Sequence, residues 1–110
     1  MLIQVRDAQG NLQLVAIQSV AAPTDRSGSI TATGSSQQVM AANALRSGWY
    51  FQNTSTNPMT LNDLGADATQ PNSFVIGAGQ FFPPPRYPVS QGAITVAGLQ
   101  AGDTFVAREW

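Results

Sequence analysis

Short apolar runs, each ended within a few residues by glycine, proline, asparagine or serine, constrain the fold of this chain most. In most runs apolar and polar side chains alternate, which is typical of half-buried β-strands. One alternative concerns residues 12–22, where apolar side chains also share a helical face, but several of them are β-branched and favour a strand. We predict strands at residues 2–6, 12–20, 29–34, 37–41, 48–53, 59–62, 73–77, 80–82, 93–97 and 104–110.

Strands this short, separated by turns this frequent, predict an all-β protein, an antiparallel β-sandwich with a jelly-roll-like arrangement. Loop-forming residues at 21–28 separate the first two strands from the others. We therefore predict an N-terminal β-hairpin arm at residues 1–22 and a β-sandwich domain at residues 23–110. The alternative is that the hairpin forms an edge of the same sheet, because an isolated two-stranded hairpin is only marginally stable.

The stretch at residues 46–64 combines an aromatic run with a second apolar run, joined by polar turn formers at residues 54–58. Alternation places Trp49 and Phe51 on one face of the first strand and Tyr50 on the other. The pattern predicts a hairpin whose apolar face must be covered by the rest of the chain.

The composition excludes several kinds of site. Charged residues make up 10% of the 110 residues, against about 25% in typical soluble domains, and the net charge is -1. The chain has five arginines and six acids but no lysine, histidine or cysteine, so the usual general bases, thiolate ligands and basic patches are missing. No apolar run is long enough for a membrane helix. We predict no enzymatic activity, no cofactor or metal, and no binding to nucleic acid or membranes.

A nearly neutral surface repels its neighbours only weakly and favours association. We therefore expect the chain to bind copies of itself, as a dimer or trimer, or another protein.

The acids closest together in one predicted loop are Asp63 and Asp67. A glycosidase needs two carboxylates that face each other, and a calcium loop needs a denser spacing of acids. We interpret both residues as turn-capping, solvated loop charges.

Three aromatic residues, Tyr50, Tyr87 and Trp110, have neighbours that already claim the inward positions. They are candidates for a platform on which a sugar ring stacks. Packing in the core or at a subunit interface is the more common role of such residues, and both interpretations remain open.

The chain resembles a family of small virion proteins of tailed bacteriophages. The resemblance covers residues 27–110 and rests on SGSITATGSSQQVMAANALRSGWYFQNTSTNPMTLNDLG, FVIGAGQFFPPP and GAITVAGLQAGDTFVAREW. Within the first segment, Asn43, Arg46 and Gly48 match an Asn-x-x-Arg-x-Gly turn that precedes a strand ending in Gln-Asn. The N-terminal VRDAQGNLQ is similar to the start of many such proteins.

This resemblance implies a structural protein located in the virion. It implies a capsid decoration or cement protein that binds and stabilises the head shell as a homo-oligomer, in contact with the major capsid protein or another virion protein. The alternative is a tail- or fibre-associated module that binds a host receptor by recognising a glycan. As interface residues we predict Leu2, Ile3, Val5, Phe82, Arg86, Tyr87 and Trp110.

Overall fold

A computed structural model describes residues 2–6, 12–16 and 22–110, the first two segments through their backbone only. Every regular element in these residues is a β-strand, and none is a helix that could span a membrane. The strands are β1 (Leu2–Arg6), β2 (Leu12–Ala16), β3 (Thr24–Asp25), β4 (Gly28–Ser29), β5 (Gln37–Met40), β6 (Trp49–Asn53), β7 (Met59–Asn62), β8 (Phe74–Ile76), β9 (Phe81–Phe82), β10 (Ile94–Gly98) and β11 (Thr104–Glu109).

The first two strands pair with each other in antiparallel register, with Ile3 opposite Val15. The predicted turn at residues 7–11 and the predicted continuation of the second strand at residues 17–20 lie outside the described residues. That this hairpin is an arm separate from residues 23–110 stays a prediction.

The remaining strands form two antiparallel sheets in a sandwich-like arrangement, which confirms the predicted all-β class. One sheet has the order β5-β10-β7-β8. The other has the order β3-β11-β6-β9, and β4 pairs with β11 as well. Both sheets contribute buried apolar side chains to one core.

The core between the sheets is centred on buried aromatic and aliphatic side chains, which alternate with more exposed ones along β6 and β11. Phe51 of β6 and Phe105 of β11 stack with ring centroids 5.3 Å apart. Leu61, Ile94 and Val96 of the opposite sheet are completely buried. Along β6 the burial alternates as the sequence predicts, because Tyr50 points outward between two buried aromatic residues.

The predicted hairpin at residues 46–64 is wrong, since β6 and β7 belong to different sheets. The buried side-chain amide of Asn53 explains why the chain passes from one sheet to the other between β6 and β7. The Asn53 side chain donates to the carbonyl oxygens of Asn57 and Ile76, at 2.7 and 2.9 Å. Its oxygen accepts bonds from the Ser55 backbone nitrogen and hydroxyl, at 2.9 and 2.7 Å. The polar turn therefore forms an arch from one sheet to the other.

Two further predictions differ from the structure. Of the strand predicted at residues 29–34 only Ser29 lies in a strand, at the end of β4. Beyond it the Gln37 side chain accepts a bond from the Thr31 backbone nitrogen at 2.9 Å and takes the place of a strand partner. The loop predicted at residues 21–28 contains β3, which pairs with the end of β11. There an ion pair of 2.7 Å joins Asp25 to Arg108 across the two strands.

Candidate functional site

A buried polar network fixes the end of β11 to the loop before β6. Glu109 Oε1 accepts a hydrogen bond of 3.0 Å from the Asn43 side chain and lies 3.4 Å from Arg46 Nε. Its other oxygen lies 2.9 Å from Arg26 Nε. Burial by itself raises the pKa of Glu109, but the bonds from Asn43 and Arg26 and the positive charges of Arg46 and Arg26 outweigh it and lower the pKa.

The rest of the Arg46 guanidinium is bonded to backbone carbonyl oxygens. Its Nη1 donates to Ser90 and Gly92, at 2.7 and 2.8 Å, and its Nη2 donates to Ala41 at 2.7 Å. Arg46 therefore ties the segment before β10 to the end of β11. Asn43 and Arg46 of the Asn-x-x-Arg-x-Gly turn both contact Glu109. The spacing of the turn did not indicate that the arginine is buried.

Beside this network the Trp110 ring lies directly on the backbone of Gly48. A Cβ atom at Gly48 would come within 2.3 Å of the Trp110 ring, so only glycine fits this position without a shift. Trp110 also packs on Tyr50, with ring centroids 5.3 Å apart and planes tilted by 40°. Both rings are about half exposed, and together they form an aromatic ridge on the surface, defined by Tyr50 and Trp110.

A groove of about 410 Å³ lies beside the aromatic ridge. Trp49, Tyr50 and Trp110 contribute to it from β6 and the end of the chain, and Phe81 from β9. Residues 83–87, which contain three prolines, complete the lining together with Val89, Ser47 and Gly48. We call this the aromatic groove; among the residues of 22–110 that line it, the one with a charged side chain is Arg86.

Arg86 and Tyr87 follow the three prolines directly. Arg86 has a φ of 67°, in the left-handed region that non-glycine residues rarely adopt. The next residue, Tyr87, donates a hydrogen bond of 2.7 Å from its hydroxyl to Asp63. That bond, the burial of the phenol and the negative charge of Asp63 all raise the pKa of Tyr87.

Asp63 and Asp67 differ in environment. Asp63 is buried beneath Tyr87, so the prediction that it is a solvated loop charge is wrong. Asp67 is exposed and caps a turn by accepting bonds from the backbone and hydroxyl of Thr69, which lower its pKa, as predicted for a turn cap. Within the described ranges no group of three or more acidic side chains is placed to hold a metal ion.

Uncharged aliphatic side chains are exposed on the opposite sheet. Val75 of β8 and Leu99, which follows β10, are 69% and 62% exposed. They line a shallow concavity of about 210 Å³ together with Pro58, Thr60 and Ala97, and none of the residues of 22–110 that line it is charged. We call this concavity the aliphatic patch.

The predicted interface residues lie in different parts of the structure. Arg86, Tyr87 and Trp110 come together at the aromatic groove, whereas Phe82 is buried in the core between Trp49 and Phe74. Leu2, Ile3 and Val5 lie in β1, whose side chains are outside the described part of the structure. The assignment of these residues to an interface stays a prediction.

The sequence interpretation missed Trp49 as a groove residue, because the alternation of β6 indicates only that it points inward. The comparisons add nothing to this geometry: no family model, curated protein or solved structure matches the chain.

Proposed function

We propose that this chain is a small structural subunit of a bacteriophage particle that decorates and stabilises the head shell as a homo-oligomer. The resemblance of residues 27–110 to small virion proteins supports this role. So does a net charge of -1, since neighbouring copies would repel one another weakly.

We further propose that the sandwich is a jelly roll, and the strand order supports this topology. With β3 and β4 counted as one broken strand, residues 22–110 contain eight strands. Counted in this way, the first strand (β3 and β4) pairs with the eighth (β11), and the second (β5) pairs with the seventh (β10). The third strand (β6) pairs with the sixth (β9), and the fourth (β7) pairs with the fifth (β8). This is the order of a long hairpin rolled into two sheets.

The proposed contact with the shell rests on the aliphatic patch. Exposed apolar surface without charge is the composition found at the centre of protein interfaces, where charged residues are depleted. Among the described residues that line the patch, the side chains with a hydroxyl are Thr60 and Thr69, which already donate to the Ala97 carbonyl oxygen at 3.4 Å and to the Asp67 carboxylate at 2.6 Å. A coat-protein surface of matching apolar character is the proposed occupant. The N-terminal hairpin at residues 1–22 is the proposed tether to a neighbouring subunit.

Sedimentation with purified head shells that lack this protein tests the proposal. The wild-type chain should sediment with the shells, and Leu99→Asp should weaken binding by at least about tenfold, because it would bury a charge in an apolar contact. Leu45→Asp is the matched control, since Leu45 is 87% exposed and lies outside the patch. Absence of wild-type binding would overturn the decoration role. Equal binding of wild type and Leu99→Asp would overturn the assigned surface.

A further inference from the structure

The aromatic groove differs in chemistry from the aliphatic patch. Its lining consists mainly of rings, among them the aromatic rings of Trp49, Tyr50 and Trp110 and the pyrrolidine rings of residues 83–85. A volume of about 410 Å³ lies within the range of small-molecule sites. Ring faces offer broad apolar contact at low cost in conformational entropy, and they suit a ligand that is itself a ring.

The one charge in this groove has no partner in the described structure. Among residues 22–110, Arg26, Arg46 and Arg108 each form an ion pair with a carboxylate, and Arg86 does not. Arg86 is exposed, and its backbone occupies the left-handed region. Such strain costs free energy and persists where the surroundings impose it, often at ligand sites. The unpaired, exposed guanidinium is suited to a carboxylate, which it can bind through two parallel hydrogen bonds.

From these observations we propose that the aromatic groove binds a carboxylated sugar, a uronic or sialic acid residue. The apolar face of the sugar ring stacks on the aromatic ridge, and the carboxylate pairs with Arg86. Among residues 22–110 no acidic side chain lines the groove. This site is independent of the proposed shell contact, which uses the opposite sheet.

An extended peptide fits the groove less well. A peptide strand usually adds to a sheet edge through backbone hydrogen bonds. Here the edge strand β9 has two residues and is followed directly by three prolines, which have no N–H to donate.

The isolated chain can be titrated with sialyllactose, with trigalacturonic acid and, as the neutral match, with lactose. Tryptophan fluorescence reports directly on the groove, because the two tryptophans of the chain, Trp49 and Trp110, both line it. We expect a saturable change with at least one acidic sugar, and at least about tenfold weaker binding of lactose. Arg86→Gln should weaken the binding of the acidic sugar by about tenfold or more.

Arg108→Gln is the matched control: it removes an arginine that is already paired with Asp25 and lies outside the groove, so it should leave sugar affinity unchanged. Circular dichroism establishes that each variant is folded. Equal affinity for lactose, equal loss in Arg108→Gln, or no response to either acidic sugar would overturn the proposal. Tighter binding of an acidic peptide or of oligothymidylate would also overturn it, in favour of another class of ligand. Because head shells are not used, failure here leaves the decoration role standing.

Discussion

Arg46 and Glu109 form an ion pair of 3.4 Å in which both side chains are almost completely shielded from solvent. The pair joins the loop before β6 to the end of β11, immediately before the ring of Trp110. The aromatic ridge is therefore held by a buried electrostatic contact whose remaining polar atoms are satisfied by Asn43, Arg26 and three backbone carbonyls.

Substitution of Arg46 should be among the most destabilising single changes in this fold. Arg46→Ala leaves three partly buried carbonyl oxygens without their donor and removes one of the charges that compensates the buried Glu109. Breaking a buried pair in this way costs about 3–5 kcal/mol. Urea unfolding followed by circular dichroism measures the loss of unfolding free energy.

Arg108→Ala provides the comparison for this prediction, because its partner Asp25 is exposed and the pair lies in solvent. The loss of stability should be much smaller, as is usual for surface ion pairs. An equal loss in both variants would contradict the structural role assigned to Arg46.

The free energy of unfolding should decrease as the pH is lowered into the acid range. The pKa values of Glu109, Asp25 and Asp67 are lowered in the folded protein, so the unfolded chain binds protons first as the pH falls. Their stabilising contribution is complete above the ordinary carboxyl pKa of about 4, and it is lost as the pH falls through the lowered values. Urea midpoints measured from about pH 7 to about pH 3 should therefore decrease steadily below about pH 5.

Glu109→Gln should lose less unfolding free energy than wild type over this acid range, although it starts from a lower value.

On the alkaline side, the raised pKa of Tyr87 gives a contribution to stability that is complete below the ordinary tyrosine pKa of about 10 and is lost above it. A wild-type protein that becomes more stable on acidification would contradict the assigned directions.

Asn53 should tolerate no change that removes its amide N–H groups. In Asn53→Asp, a carboxylate oxygen would face the carbonyl oxygens of Asn57 and Ile76, to which the amide now donates. We expect a loss of at least about 2–3 kcal/mol in unfolding free energy, because a buried charge would lie beside unpaired acceptors.

Asn72→Asp is the matched control for Asn53→Asp. The Asn72 oxygen accepts a bond of 3.0 Å from the Asn62 side chain, and an aspartate keeps that acceptor. A change within about 0.5 kcal/mol is expected at this exposed position. If denaturant unfolding shows the two variants to be equally stable, the arch between the sheets does not depend on the Asn53 amide.

Local alternation predicted β6, β7, β10 and β11, because the faces of those strands are decided by side chains two residues apart. It also predicted that Tyr50 points outward. It failed for the hairpin at residues 46–64, since β6 and β7 take partners from strands far along the chain, β11 and β10. The burial of Arg46 and Asp63 was equally hidden, because each depends on a distant partner, Glu109 or Tyr87.

The contact between Gly48 and Trp110 gives a way to disturb the aromatic groove without removing a groove side chain. In Gly48→Ala the new methyl group would displace the Trp110 ring, which is half exposed and can move. We expect a shift of tryptophan emission to longer wavelength and a loss of stability of about 1–2 kcal/mol. The neighbouring Tyr50 would lose its ring partner.

Gly92→Ala is the control for Gly48→Ala, because a Cβ there would meet its nearest atom, Ser90 Oγ, at an ordinary distance of 3.6 Å. Its emission spectrum should match that of wild type. An unchanged spectrum in Gly48→Ala would show that Trp110 does not rest on Gly48 in solution.

Deletion of residues 1–22 should remove the proposed tether and leave residues 23–110 folded. The buried core and the paired strands β3 to β11 described here lie within residues 22–110, and the deletion ends just before Pro23 and β3. We expect residues 23–110 to keep a cooperative thermal transition within a few degrees of that of the full chain, about 1 kcal/mol or less at the transition. Binding to head shells, measured by sedimentation, should fall by at least about tenfold because one of two linked contacts is lost. Undiminished decoration by the truncated protein would show that the hairpin is no tether. Loss of the cooperative transition would show instead that the hairpin is an integral edge of the sandwich.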